Sequence, residues 1–219
     1  IVDSDDFLPP DSIETNERYL AKIEADPGFA GVSGVCARAD GSWLLGQGLS
    51  LEDMDSHVRH LFSLEYVDAT SQEYRSKLKM PGDRAEVVRT ELVRKYPFPS
   101  FEGERFVSEY YLWQSISEEG LRLRWVNKPT YCGDYLDDGL TTNMREIMRR
   151  NPLGRSFVDN FTLGTHAPLS LKLNSAVNYT RYGRFGGKTI AELIRKAKSK
   201  PLAILGLPVA MAFPIKEGE

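Results

Sequence analysis

Apolar residues recur every three to four positions in several stretches of the chain, which is the spacing of one helix face. In residues 51–66 this face consists of Leu51, Met54, Val58, Leu61 and Phe62. We predict further helices over residues 11–26, 71–79, 85–95, 109–119, 168–182 and 188–199, and one that ends near 150. Asp11 and Glu14 have the spacing of a capping box, which favours a helix start there.

A period of two predicts the strands. Residues 29–39 are rich in Val, Gly and Ala, and after the Asp40-Gly41 turn we expect residues 42–45 to pair back. In residues 121–125, apolar positions alternate with arginines, and we expect a partner strand near residues 130–136. The mixture of helices and strands predicts the α/β class.

Three carboxylates, Asp3, Asp5 and Asp6, follow two apolar residues at the front of the sequence. We interpret this as the end of a buried strand, and the carboxyl ends of strands are where open α/β sheets bind ligands. Asp3 and Asp5 would point the same way on a regular strand. A hard divalent cation would relieve the repulsion between them. The alternative is an acidic turn in which Asp6 or Asp11 caps the following helix.

The run from Asp3 to Asp6, followed by Phe7-Leu8 and Pro10-Asp11, resembles the Asp-x-Asp segment of family 2 glycosyltransferases of the GT-A fold. Three further blocks resemble bacterial members of that family in the same order: residues 82–109, 135–141 and 150–154. One Asp-x-Asp segment is a weak signal, but the ordered set covers most of the chain.

The resemblance implies a metal-dependent hexosyltransferase of cell-surface polysaccharide synthesis. Such an enzyme moves a sugar from a nucleotide-sugar donor to a saccharide or lipid-linked acceptor, with inversion. It also implies a GT-A-like mixed sheet flanked by helices. An earlier βαβ half would hold the nucleotide base. The sequence does not contain that half, so we expect a fragment of the catalytic domain.

The resemblance also assigns the metal site. Asp3 and Asp5 would bind Mn²⁺ or Mg²⁺, with Asp5 as the direct ligand, and Asp6 would contact the sugar or a water molecule. A downstream histidine is a third ligand in some GT-A enzymes, and His166 is the candidate here. The physical chemistry of the cluster says only that it suits a hard cation.

The acceptor hydroxyl needs a general base within hydrogen-bond distance. Glu109 is our candidate, because it lies in the first turn of a predicted helix, where the helix dipole favours a carboxylate. Many family members have Glu-Asp where this sequence has Glu109-Tyr110, so the base stays open, with Glu104 as the alternative. We expect further substrate contacts from Asp83, Glu104, Tyr110 and Trp113. Asp83 has a second interpretation, as the N-cap of the predicted helix over residues 85–95.

Charge is unevenly distributed along the 219 residues. Residues 1–140 contain 15 Lys and Arg against 26 Asp and Glu, and residues 141–219 contain 13 against 5. We predict a metal- and acceptor-binding portion over residues 1–150 and a helical, basic extension over residues 151–219. In the extension, basic residues 195–200 precede the short apolar stretch 201–213. This order favours docking on an anionic membrane surface and not on nucleic acid. The alternative is a helix packed on the body of the protein.

Two cysteines, Cys36 and Cys132, form no disulfide framework and indicate a reducing compartment. No apolar run is long enough to span a bilayer. We therefore expect a cytoplasmic protein, peripheral on the inner face of the plasma membrane.

Two other functions compete with sugar transfer. A haloacid-dehalogenase-type phosphotransferase also uses Asp-x-Asp after an apolar strand, but it requires Thr or Val at the position that Phe7 occupies here. A non-catalytic module that binds a metal or a partner is the second alternative, because the nucleotide-binding half is missing from the sequence.

Overall fold

The computed structural model describes residues 2–3, 5–46, 48–135, 139 and 142–215. The chain divides into two compact units. The sheet unit combines Ile1–Tyr96 with Glu119–Asp137, and the helical unit combines Pro97–Glu118 with Asp138–Glu219. The predicted functional division at residue 150 stays a prediction.

The sheet unit contains a four-stranded mixed sheet, which confirms the α/β class. Its strands are β1 (Phe29–Ala37), β2 (Tyr66–Ala69), β3 (Arg84–Val88) and β4 (Arg122–Cys132). Their order across the sheet is β2-β4-β1-β3. Strands β1 and β4 are parallel, whereas β1–β3 and β2–β4 are antiparallel. The carboxyl ends of β1 and β4 therefore meet at one edge.

Strand β1 is central and buried along its whole length. Its small residues permit close approach of the neighbouring strands, since a methyl group on Gly34 would collide with Thr130 of β4. Helix α1 (Ser12–Ala21) covers β1 and β4. The buried cluster beneath it comprises Tyr19, Ile23, Phe29, Val32 and Val126.

The predicted helix over residues 51–66 is shorter than expected. A 3₁₀ turn, Leu51–Asp53, precedes helix α2 (Ser56–Ser63), and Asp55 caps α2 by accepting a hydrogen bond from the Val58 N–H. The chain then enters β2, which the sequence pattern did not reveal. A π-helix, Glu73–Lys77, occupies the centre of the polar stretch predicted as helical.

Several local predictions are wrong. Residues 2–3 and 5–6 form no strand and Val2 is exposed, so the acidic segment does not end a buried strand. Residues 85–88 belong to β3 and not to a helix, because their backbone pairs with β1, and helix α3 (Thr90–Lys95) begins only afterwards. The partner strand expected near residue 130 is the continuation of β4 itself. Asp11 makes no side-chain cap of α1, because its carboxylate pairs with Lys128 at 2.5 Å.

The helical unit contains the other six helices of the described chain. They are α4 (Tyr110–Glu118), α5 (Met144–Arg150), α6 (Pro152–Leu163), α7 (Leu169–Phe185), α8 (Ile190–Lys196) and α9 (Lys200–Ala212). Helix α7 is central and packs against α6 and α9. The unit's buried cluster comprises Leu163, Ala176, Tyr179, Leu193 and Ala203.

The apolar stretch at the end of the chain forms α9, a helix that continues through Pro208. Small residues bring α9 close to α7, since a methyl group on Gly206 would lie 2.8 Å from the Ala176 backbone. Within the described residues, none of the helices combines the length and the apolar character needed to cross a bilayer.

Candidate functional site

The acidic segment is tied to the carboxyl end of β4. The Phe7 N–H donates to the Cys132 carbonyl at 3.0 Å, and the Cys132 N–H donates to the Phe7 carbonyl at 2.8 Å. The Asp6 N–H donates to the Asp3 carbonyl at 3.2 Å, which closes a turn. This pairing holds Asp3, Asp5 and Asp6 just beyond the end of the strand.

Asp83 lies at the same edge of the sheet, next to the carboxyl end of β1. Its carbonyl accepts a hydrogen bond from the Cys36 N–H at 3.2 Å, and its N–H donates to the Leu44 carbonyl at 2.9 Å. The N-cap interpretation of Asp83 is wrong, because an extended strand and not a helix follows it. The sheet therefore brings Asp83 to the edge that carries the acidic segment.

Asp6 is the most firmly held carboxylate of the segment. The Tyr131 hydroxyl donates to its Oδ2 at 2.7 Å, and the same hydroxyl oxygen accepts the Asp3 N–H at 3.2 Å. Burial raises the pKa of Tyr131 to about 12, and the hydrogen bond to Asp6 acts in the same direction. Tyr131 therefore stays a neutral donor at physiological pH.

Gly133 makes room for the Asp6 carboxylate. A β-carbon at this position would lie 2.6 Å from Asp6 Oδ1, a separation that real side chains do not tolerate. Gly133 directly follows β4, and its N–H donates to the Ala37 carbonyl of β1 at 3.0 Å. The absence of a side chain there lets the carboxylate approach the backbone closely.

Asp83 has a phenolic neighbour of its own. Burial, followed by a hydrogen bond to the Asp83 carboxylate, raises the pKa of Tyr135. Beside it, Arg38 Nε and Asp134 Oδ1 form an ion pair at 3.3 Å. Burial raises the pKa of the Cys36 thiol to about 12, with the nearby Glu86 and Asp83 acting in the same direction, so this thiol stays protonated at neutral pH.

Asp3 and Asp5 are exposed to solvent. Within residues 2–3, 5–46, 48–135, 139 and 142–215, no three His, Cys, Asp or Glu side chains are grouped to hold a metal ion. Mg²⁺ and Mn²⁺ often bind through one or two carboxylates, with water and substrate phosphates completing the shell. The two carboxylates fit such an ion by donor type, and their metal role stays a prediction.

In the helical unit, Glu109 is exposed in the turn that begins α4. Its carbonyl accepts the N–H groups of Leu112 at 2.8 Å and Trp113 at 3.2 Å. The Ser108 hydroxyl accepts the Tyr110 N–H at 3.3 Å. The carboxylate of Glu109 thus lies at the positive end of the helix dipole, as the sequence predicted.

Both oxygens of Glu104 are occupied by backbone groups. Oε1 accepts the Leu153 N–H and Oε2 accepts the Gly154 N–H, each at 2.7 Å. These N–H groups belong to the first turn of α6, so Glu104 satisfies donors that would otherwise lack partners. The arrangement gives Glu104 a structural function, and its predicted contact with substrate stays untested.

Tyr110 begins a polar row along one side of α4. Its hydroxyl donates to Gln114 Oε1 at 3.0 Å, and Gln114 Nε2 donates to Glu118 Oε1 at 3.0 Å. Glu118 accepts the His166 N–H and lies 2.7 Å from its Nδ1. The His166 imidazole is therefore engaged within the helical unit. Trp113 is partly buried, and its predicted role stays a prediction.

Asp159 is a buried carboxyl group that no sequence motif indicates. Arg155 contacts it through Nε at 2.6 Å and Nη2 at 3.2 Å. Burial raises the pKa of Asp159 to about 6, although the Arg155 guanidinium acts in the opposite direction. This group therefore titrates in the mildly acidic range.

Tyr131 and Tyr135, the phenols that hold Asp6 and Asp83, are not among the site residues predicted from the sequence. The available signal was an aromatic residue on each side of Cys132-Gly133-Asp134, directly after an apolar strand. Residues 136–138, 140 and 141, which belong to one of the resemblance blocks, lie outside the described residues.

Comparison of the chain with protein-family models, with curated proteins and with solved structures gave no match.

Proposed function

We propose that the chain is part of a metal-dependent, inverting glycosyltransferase of the GT-A fold. It would transfer a hexose from a nucleotide-sugar donor to a saccharide or lipid-linked acceptor in cell-surface polysaccharide synthesis. One observation carries the proposal: the acidic segment and Asp83 lie at the carboxyl ends of the parallel strands β1 and β4. Open α/β sheets bind their ligands at this edge.

Asp3 and Asp5 would hold the cation, which is Mn²⁺ or Mg²⁺. When bound, such an ion stabilises negative charge on the phosphate oxygens of a departing nucleotide. The 2.7 Å hydrogen bond from Tyr131 fixes the carboxylate of Asp6 beside them. A fixed carboxylate with one oxygen still able to accept a hydrogen bond is suited to orient a sugar hydroxyl.

Glu109 is the stronger of the two candidate bases. Glu104 uses both carboxylate oxygens to cap α6, whereas the Glu109 side chain is exposed. An exposed carboxylate at a helix N-terminus would accept the proton of an acceptor hydroxyl as that oxygen attacks the sugar carbon. Direct displacement assisted by one base inverts the configuration at that carbon.

The decisive experiment measures Mn²⁺ binding and sugar transfer on the same protein. Binding is followed by the loss of the free Mn²⁺ electron paramagnetic resonance signal, with and without UDP. Transfer is followed with a panel of UDP- and GDP-sugars. Asp5→Asn should weaken Mn²⁺ binding by at least about tenfold, since it removes a charged oxygen ligand. Glu52→Gln, which changes an exposed carboxylate elsewhere in the sheet unit, is the matched control.

Three outcomes separate the proposal from its competitors. Mn²⁺ binding that Asp5→Asn abolishes, together with transfer that Glu109→Gln abolishes, supports it. Mn²⁺ binding without any donor binding or transfer would favour the non-catalytic module. Hydrolysis of an aryl phosphate that depends on Asp3 would favour the phosphotransferase.

A further inference from the structure

The outward side of α9, which we call the α9 outer face, is apolar without interruption. Residues 201–215 contain no charged or polar side chain. The large exposed apolar residues of this face are Ile204, Leu205, Val209, Met211 and Phe213. Leu205 is 62% exposed and Phe213 is 67% exposed. A contiguous apolar surface of this kind marks an interaction site more often than an ordinary helix surface.

The α9 outer face is not needed to pack the helical unit. Small residues on the opposite side, Ala203, Gly206 and Ala210, are buried and face the body of the unit. Gly206 is the point of closest approach to α7, next to the backbone of Ala176. The large apolar side chains therefore point away from the unit's own core, and their exposure to water is unfavourable unless another apolar phase covers them.

Cationic side chains stand at the N-terminal end of α9. Arg195, Lys196, Lys198 and Lys200 are exposed. Among the described residues, none of these four lies within 4.0 Å of a carboxylate. Their charge is thus available to an external anionic group.

A basic pocket of about 260 Å³ lies at the other end of α9. It is lined by Arg181, Arg184 and Phe185 of α7, by Ala210 of α9, and by Pro214 and Ile215. The Nε atom of Arg181 is buried and has no hydrogen-bond partner among the described residues. Among the described residues, the Arg184 guanidinium has a single hydrogen-bond partner, the weakly accepting Met211 sulfur at 2.9 Å. The pocket therefore holds donors that suit a phosphate group.

We propose that the α9 outer face docks on an anionic bilayer surface, with a lipid headgroup phosphate held between Arg181 and Arg184. The apolar side chains would enter the boundary between headgroups and acyl chains. The cations at both ends would lie at the level of the phosphates. The inference is independent of the proposed sugar transfer, because it uses none of the residues assigned to that reaction.

Charge favours a bilayer over a second copy of the chain. A symmetric dimer brings the same patch of each copy together. Here it would place two sets of unpaired cations close to each other, and like charges across an interface are unfavourable. An anionic leaflet supplies the opposite charge at both ends of the helix and an apolar phase between them.

The test is sedimentation of the full chain with vesicles of phosphatidylcholine alone or of phosphatidylcholine with phosphatidylglycerol, at low and high salt. We expect binding to the anionic vesicles only, and weaker binding at high salt. The Leu205→Gln/Phe213→Gln variant should lose binding. Replacing Lys196, Lys198 and Lys200 by Gln should weaken it about a hundredfold, since each charge near the surface contributes about 1 kcal/mol. Arg181→Gln should weaken binding by about tenfold or more.

Two matched controls should bind as the unaltered chain does. Ile13→Gln replaces an apolar residue that is 58% exposed in the sheet unit, and Arg145→Gln removes an exposed arginine outside the pocket. The lysine changes and Arg145→Gln lie on the surface, whereas Arg181 is partly buried, so circular dichroism verifies the fold of each variant.

Equal sedimentation with neutral and anionic vesicles would overturn the proposal, as would full binding by the Leu205→Gln/Phe213→Gln variant. Full binding by Arg181→Gln would show that the pocket does not hold a headgroup phosphate. Absence of vesicle binding, together with a dimer that this double variant dissociates, would assign the face to a second copy instead.

Discussion

The Tyr131 hydroxyl donates a 2.7 Å hydrogen bond to the carboxylate of Asp6, 125 residues away in the sequence. The bond joins the acidic segment to β4 through side chains, in addition to the backbone pairing of Phe7 with Cys132. Because the donor is neutral and the acceptor is an anion, the contact is stronger than a bond between two neutral groups.

Tyr131→Phe should lower the free energy of unfolding by about 1–2 kcal/mol, since the Asp6 carboxylate loses its phenolic donor. Urea unfolding followed by circular dichroism measures the change. Tyr66→Phe is the control, because the Tyr66 hydroxyl has no hydrogen-bond partner among the described residues, although its ring packs on Tyr19. Equal losses in the two variants would show that the phenolic hydrogen bond contributes nothing.

Gly133→Ala should destabilise the sheet unit by about 1–3 kcal/mol, because the new methyl group must displace the Asp6 carboxylate. The same displacement breaks the Tyr131 contact. The effects of Gly133→Ala and Tyr131→Phe should therefore not be additive, with the double variant losing less than the sum. Gly164→Ala is the control, because its φ of −92° suits alanine and the new methyl group would lie 3.1 Å from Lys198 Cβ, which a small shift accommodates. Strict additivity of the first two changes would contradict the shared contact.

Much of the local structure could be predicted from the sequence, since it depends on periodicity. The helical spacing around Val58 and the basic helix near Arg195 correspond to α2 and α8, and the α/β class is confirmed. Strand β3 could not be predicted in this way. The helix-forming residues Ala85 and Glu86 are held extended by pairing with Gly34 and Ser33 of β1, about 50 residues earlier, and local propensity does not encode such a partner.

In the candidate site, too, some features could be predicted from a local pattern and others depend on residues distant in the sequence. The apolar-to-acidic transition before Asp3 predicted the end of a buried strand, and this is wrong, because residues 2–3 and 5–6 form no strand and Val2 is 45% exposed. Asp6 instead reaches the carboxyl end of β4 through the pairing of Phe7 with Cys132, and Asp83 lies beside the carboxyl end of β1. The side chains that hold them, Tyr131 and Tyr135, are distant in sequence. Their roles follow from strand register and not from any local pattern. Glu104 shows the converse, because a carboxylate in a plausible motif proved to be a helix cap.

Glu104→Ala should lower the free energy of unfolding of the helical unit by about 2 kcal/mol, near the upper end for a lost N-terminal cap. Two backbone N–H groups, at Leu153 and Gly154, lose a charged acceptor. Glu104→Gln retains one acceptor oxygen and should lose about half as much. Thermal unfolding followed by circular dichroism measures both variants.

Glu102→Ala changes an exposed carboxylate two residues away and should leave stability unchanged. If Glu104→Ala unfolds at the same temperature as this control, the cap contributes nothing. A loss of sugar transfer in Glu104→Ala without any loss of stability would instead indicate that Glu104 contacts the substrate.

Asp159 should make the helical unit more stable at mildly acidic pH than at neutral pH. Burial raises the pKa of this carboxyl to about 6, from 3.8 for an ordinary aspartate. Between these two values the folded chain binds a proton more readily than the unfolded chain does. Stability from this group is therefore complete below about pH 4, falls as the pH rises through 6, and stays lower above it.

The direction of the pH dependence that Asp159 contributes can be isolated by comparison with Asp159→Asn. This variant has nearly the same side-chain shape and no titratable carboxyl group. As the pH rises from 4 to 7, the unaltered chain should lose about 3 kcal/mol of unfolding free energy relative to this variant. Urea unfolding at a series of pH values measures the difference, and contributions from other titratable groups cancel between the two proteins. Parallel pH profiles would mean that Asp159 has an ordinary pKa, and a relative gain toward neutral pH would mean that the Arg155 ion pair outweighs burial.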